Sequence, residues 1–188
     1  MARCVGVLAV LALVLSGCVV RSLYPVYTKD DLVFLPEIEG TWNTDTDGQT
    51  MSFVRDDDGY IFVFAENGEP TPLAAHFARI GKKTYLDLTV ADASVCEGAG
   101  EYLTPVHVFY EAEVRDKTLR IRPMDPDWIK DRRERGRLWI DYMKQDDATL
   151  LTADTARVQR FIRRWANCEE AWEDWTELPL VPAGTPAK

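Results

Sequence analysis

The sequence predicts a mainly β fold: an antiparallel barrel or strongly curved sheet, finished by a C-terminal α-helix. Three observations carry this. First, from Gly40 onward, short aromatic and β-branched runs are divided by the turn dipeptides Asp47-Gly48, Asp58-Gly59, Asn67-Gly68, Gly81-Lys82 and Asp116-Lys117, a hairpin spacing. Second, a two-residue loop at Asp116-Lys117 sets Val114 opposite Leu119 and Ala112 opposite Ile121 on one face, with Glu113 opposite Arg120 and Glu111 opposite Arg122 on the other. Third, Val158, Phe161, Ile162, Trp165, Cys168, Trp172 and Trp175 recur at spacings of three and four, a helical stripe from about Thr155 to Trp175.

The expected strands, in order, are Gly40 to Thr46, Thr50 to Asp56, Tyr60 to Glu66, Leu73 to Ile80, Thr84 to Val90, Val106 to Arg115 and Thr118 to Met124. Consecutive antiparallel pairing is the simplest arrangement for them. Asp125-Pro126-Asp127-Trp128 then reads as a helix start, followed by strand-like pieces at Leu138 to Lys144 and Ala148 to Thr152. The run Tyr60 to Phe64 is apolar on both faces, so the last helix is the expected cover for its outer side. Beyond Leu178 the prolines and lack of periodicity predict a loose tail.

The N-terminus reads differently. Arg3 precedes an apolar run, and from Cys4 to Val20 there are 17 residues without a charge, at the lower edge of what a membrane-spanning helix needs. A signal-peptide core fits better. Its end, Leu15-Ser16-Gly17-Cys18, resembles the bacterial lipobox, and that resemblance implies removal of residues 1–17 and acylation of Cys18 as a membrane anchor. Val19, in place of an aspartate, implies outer-membrane delivery, with the domain in the periplasm. Residues 18–38 follow as a short lead-in rich in large apolar groups, with Thr28 capping one turn at Lys29-Asp30-Asp31. The organisation expected is thus signal 1–17, anchor and lead-in 18–38, one β-rich domain with its helix over 39–177, and a tail over 178–188.

Charge and cysteine content narrow the function classes. With 31 acidic against 22 basic residues the net charge is −9, which argues against a nucleic-acid partner or general affinity for anionic surfaces. Past the signal, Cys96 and Cys168 are the two remaining cysteines, and in an oxidising compartment such a pair reads as a disulfide, or else as two separate buried thiols. A disulfide there would close a loop of roughly 70 residues and add about 4 kcal/mol in the chain-entropy picture.

Signals for catalysis are weak. Asn43-x-Asp45-x-Asp47-Gly48 matches the first half of a calcium loop, but Val54 stands where its bidentate glutamate belongs. His76 and His107 lie on different strands without further ligands at metal spacing, so no metal site is expected. No Gly-x-Ser-x-Gly elbow accompanies them, and Gly98-x-Gly100 precedes no helix. Neither a cofactor nor an enzymatic activity is expected from these residues.

Gly40-Thr41-Trp42, on the first strand of a meander ending in a helix, resembles the lipocalin signature over Glu39 to Trp175. In that family the tryptophan plugs one end of a small eight-stranded barrel. The stretch Ser22-Leu-x-Pro-x-Tyr-Thr-x-x-Asp-Leu-Val-Phe34 before Gly-Thr-Trp is similar to uncharacterised bacterial lipoproteins and supports the anchor. The Asp125 to Arg137 insertion departs from lipocalins. Two functions follow as expectations. One is a structural or protein-interaction lipoprotein of the envelope, docking another protein through Trp172 and Trp175 or the insertion. The other is a carrier of an apolar small molecule or lipid, with Trp42, Val106, Val108, Tyr110, Leu119 and Ile121 lining the pocket.

Overall fold

The computed structural model describes residues 19–43, 49–66, 68–90 and 104–181. Its centre is an antiparallel run of seven strands: β2 (Gly40–Asn43), β3 (Gln49–Asp56), β4 (Gly59–Glu66), β5 (Glu69–Ile80), β6 (Lys83–Val90), β7 (His107–Arg115) and β8 (Thr118–Pro123). The Asp116-Lys117 loop turns with positive φ at both residues, which matches the right-handed twist of the flanking strands. It fixes the register as expected, with Val114 opposite Leu119 and Glu111 opposite Arg122. Strand β5 starts earlier than the sequence suggests, at Glu69, in spite of Pro70 and Pro72. The β6 ladder ends at the Leu73–Val90 pair, so the two prolines stand where β5 has no neighbour on that side.

At β7 the sheet forks. The C-terminal part of β7 pairs with β8, which pairs with β11 (Thr176–Pro179). Its first residues instead pair with β1 (Arg21–Ser22), which runs parallel to β10 (Ala148–Leu151), itself paired with the edge strand β9 (Tyr142–Gln145). The sheet is therefore mixed, and it is strongly curved without being closed into a barrel: between β2 and β11 there is one isolated bridge, Trp42 to Leu180, and one hydrogen bond, Val181 N to Thr41 O at 2.8 Å.

Two helices lie outside the sheet. Helix α1 (Pro126–Glu134) starts where expected, with Asp125 accepting hydrogen bonds from the amides of Asp127 and Trp128. Helix α2 (Thr155–Trp165) is capped by Asp154, which accepts from Arg157 N at 2.8 Å. It is shorter than its stripe implied. After Trp165 the chain passes through a 3₁₀ turn at Glu169–Ala171 into β11, so residues expected in a loose tail are paired with β8, and Leu178 is fully buried.

The curved sheet separates two cores. On its convex face α2, α1 and the lead-in cover Ile80, Tyr85 and Phe109 with Val158, Ile162, Ile129, Val26 and Trp172. Helix α2 thus covers β5 to β7, whereas Ile61 on the outer side of β4 stays 37% exposed. On the concave face Trp42, Phe53, Tyr60, Phe62, Phe77, Leu86 and Leu119 pack together. No helix among the described residues is long and apolar enough to cross a membrane.

Candidate functional site

At the end of the concave face where the β3–β4, β5–β6 and β7–β8 turns gather, Trp42, Phe53, Phe77, Leu86 and Leu119 are dry. The lead-in seals this end with a 3₁₀ turn at Pro36–Ile38. Trp42 Nε1 donates to Ile38 O at 3.0 Å, and the Tyr60 hydroxyl donates to Leu35 O at 3.0 Å while accepting from Leu35 N at 2.9 Å. Phe34 stacks on Tyr60 at 5.6 Å, with the Arg55 guanidinium 3.7 Å from the Phe34 ring. A cleft of about 260 Å³ beside the seal is bordered by charges of both signs, among them Glu37, Arg79, Lys82, Glu113 and Arg115, and does not suit an apolar ligand.

Other residues of the same face keep some accessible surface although their cross-strand partners are buried, Met51 beside Trp42, Tyr110 beside Leu86 and Ile121 beside Ala112. Met51, Leu73, Tyr110 and Ile121 pack against the concave core yet remain half-buried, and Val90 is exposed. Tyr110 is the most telling of these. Its hydroxyl makes no hydrogen bond among the described residues, and desolvation pushes its pKa up to about 12.

The six residues expected to line a pocket divide accordingly. Trp42 and Leu119 are fully buried, Tyr110 and Ile121 half-buried, and Val108, buried on the same face, lies between Leu88 and Arg21. Val106 precedes β7 and is half-buried, its carbonyl accepting from Thr89 Oγ1 at 3.1 Å. Of the cysteines, Cys18 and Cys96 lie outside the described residues. Cys168 is a free thiol 3.2 Å from Glu170 Oε2, so the structure does not form the expected disulfide. Partial burial and the Glu170 carboxylate raise its pKa. The calcium half-motif falls largely in 44–48 and Gly98-x-Gly100 in 91–103, both outside the described residues.

Comparison with protein-family models, curated proteins and solved structures finds no match to this chain. The residues alone therefore define the site.

Several charged groups expected on solvated faces are buried on the convex side. Arg122 grips Glu111 through Nε at 3.1 Å and a terminal nitrogen at 2.9 Å, and reaches Glu169 at 2.7 Å; Lys83 approaches Glu111 at 2.8 Å. Glu111 and Arg122 are not the solvated pair that strand alternation implied, because the segment after α2 folds over them. Asp87, fully buried, accepts from Val26 N at 2.9 Å and lies 2.7 Å from His107 Nδ1, tying the lead-in to the sheet. His76 stands opposite Asp87 in register but stacks on Tyr27 at 4.7 Å and faces Asp58 at 3.4 Å. Burial, then Asp87 and Asp58, raise the Tyr27 pKa. No cluster of metal-binding side chains forms among the described residues.

The expected docking surface also changes. Trp172 is buried, and Trp175 is half-buried beside Arg120 and Arg122, whose guanidiniums lie 4.7 and 4.5 Å from its ring. In the insertion Ile129 is fully buried, and Arg132 sits between the rings of Trp128 and Trp165 at 4.3 and 4.1 Å. The exposed apolar groups lie just beyond, where Trp139 is 89% exposed, with Tyr142 and Met143 on edge strand β9.

Proposed function

We propose that this protein is an envelope lipoprotein, anchored through an acylated Cys18, that lodges the hydrocarbon part of an apolar ligand against the concave face of its sheet. The observation behind this reading is the half-buried quartet Met51, Leu73, Tyr110 and Ile121 on the inward side. Apolar groups on the inner face of a filled scaffold interlock to near-crystalline density and leave little accessible surface. In this reading the four residues form the wall against which the hydrocarbon packs. Each methylene a ligand buries there contributes about 0.8 kcal/mol, so a medium-length chain is enough for useful affinity. No catalytic step belongs to this reading.

Native mass spectrometry of protein purified from its own envelope, followed by titration with a neutral fluorescent apolar probe, tests it. Co-purified lipid and saturable probe uptake are expected. A clean protein mass with no uptake would sink the carrier and leave the structural or protein-interaction reading, which the exposed Trp139, Tyr142 and Met143 favour. The anchor is tested separately, since Cys18→Ala should release the protein from membranes and continued tight association would refute acylation there.

A further inference from the structure

The chain as a whole is acidic, yet its charge is unevenly spread. Residues 130–164 hold ten basic and six acidic side chains, and the rest of the sequence 12 and 25. This basic segment runs from α1 through β9 and β10 into α2. It also contains Trp139, 89% exposed, with Tyr142 and Met143 just after it on the edge strand. Single exposed apolar groups are ordinary, but three within five residues beside unpaired cations call for a covering partner.

The fold brings the cations to the aromatic groups. Arg157 forms a two-pronged ion pair with Asp141, whose carbonyl accepts from Thr152 N at 2.9 Å, so the first turn of α2 is fastened two residues after Trp139. Arg160 and Arg164 follow Arg157 by three and seven positions and continue its row along the exposed side of the helix, within about 11 Å. On the other flank Arg137 precedes Trp139 by two residues. Of the six acids, Asp131, Asp141 and Asp147 are held in ion pairs and Asp154 caps α2. Arg137, Lys144, Arg160 and Arg164 are exposed and form no ion pair among the described residues, with Glu134 and Asp146 as the acids left to offset them.

What covers this face follows from where the chain is fastened. Three residues carry the chain from Cys18 to Arg21 in β1, a reach of at most about 11 Å, and β9 lies two ladder steps from β1, about 10 Å. An acylated Cys18 therefore keeps β9 within about 20 Å of the bilayer. Tryptophan and tyrosine settle at the polar boundary of a membrane, and arginines beside them meet lipid phosphates. Resting on the anchor reading above, we propose that Trp139 and Tyr142, flanked by Arg137, Arg160 and Arg164, form the face that the tethered domain lays against an anionic bilayer. The contact orients the domain and is too small to hold it, so Cys18→Ala is still released.

The test uses the acylated full chain, purified in detergent from its own envelope. It is reconstituted into vesicles of phosphatidylcholine, alone or mixed with phosphatidylglycerol, whose acyl chains carry bromine to quench any tryptophan they touch. The wild type should be quenched in the anionic vesicles and much less in the neutral ones. Trp139→Phe should lose this quenching. Arg160→Gln with Arg164→Gln should lower the docked-to-undocked ratio by about 25-fold, at about fivefold for each arginine, and high salt should act in the same direction. These exposed side chains have no ion pair to lose, so Tm should not change. Quenching that is equal in both vesicles, that survives in Trp139→Phe, or that ignores the arginine changes overturns the proposal. A dimeric mass in detergent that becomes monomeric in Trp139→Phe would assign the patch to a second copy and overturn it too. Retention on the neutral vesicles reports the anchor alone. A protein retained on both vesicles but unquenched refutes the face and leaves the anchor, whereas one that washes off the neutral vesicles refutes the anchor, and the proposal with it.

Discussion

Replacing Glu111 with glutamine should be among the most damaging conservative changes in the molecule. Its carboxylate is the common anion of two buried or half-buried cations, bound by Arg122 at 2.9 and 3.1 Å and by Lys83 at 2.8 Å. The amide side chain keeps the shape but leaves Arg122 with only the exposed Glu169 as an anion, and Lys83 with the Ala166 carbonyl. Removing one partner of a buried pair typically costs 3–5 kcal/mol, and a domain of this size loses about 2–4 °C of Tm per kcal/mol, so a drop of roughly 6–20 °C is expected. Arg122→Met should cost less, about 2–3 kcal/mol, because Lys83 still neutralises Glu111. Removing both together, as Glu111→Gln with Arg122→Met, should cost clearly less than the two single changes combined, with a coupling of about 2 kcal/mol. Urea unfolding of the four proteins measures each value. Additive losses, or a Glu111→Gln cost under about 1 kcal/mol, would show that the network is open to water and that the segment after α2 does not cover it.

Other outcomes follow from the same geometry. Tyr110 has a folded-state pKa of about 12, above the ordinary 10, so its contribution is complete below pH 10 and fades as pH rises toward 12. Tyr110→Phe should therefore resist alkaline unfolding better than the wild type, and an ultraviolet phenolate titration should lose one late-ionising group. Leu178→Ala should destabilise by about 2–5 kcal/mol, as a core leucine does, and a loss within 0.5 kcal/mol in urea would mean β11 is not docked. Asp87→Ala removes the acceptor of Val26 N and the partner of His107, and should lower hydrogen-exchange protection at Val26 far more than at Phe77. Equal loss at both amides would mean the lead-in is not held by this contact.

The parts of the fold that could be read from the sequence depend on neighbours a few residues apart. The β7–β8 register follows from Asp116-Lys117, and both helix starts follow from an aspartate cap. What could not be read depends on distant covering groups. Strand alternation sends Glu111 and Arg122 outward, and nothing local says that Glu169 and the turn after α2 will close over them. Trp172 and Trp175 continue the spacing of α2, so the helix looked longer than it is, while the alternation of Thr176, Leu178 and Leu180 is too brief to compete with nearby prolines. Of the six residues expected to line a pocket, period-two patterning sets Val108, Tyr110, Leu119 and Ile121 on one face, as the strand pairing does, but it could not say which of them would be buried, because that depends on distant covering groups such as the lead-in. Arg21 was invisible for the same reason. A single arginine after an apolar run looks like a flank, and only the pairing with Val108 places it within the sheet.

The position of β1 also bears on the order in which the chain can assemble. This first strand is not at an edge; it is wedged between β7 and β10, and Gln159 holds Val26 across 133 positions of sequence. Contacts of that span form late, since a long loop must close before they give anything back. Hairpins β3 to β8 can gather while later residues are still arriving, but the N-terminal segment has no seat until residues 148–151 and α2 exist. In a chain delivered N-terminus first, the stretch that emerges earliest is therefore the last to be fastened. The junction of β7, β1 and β10 is complete only when synthesis or translocation is nearly over.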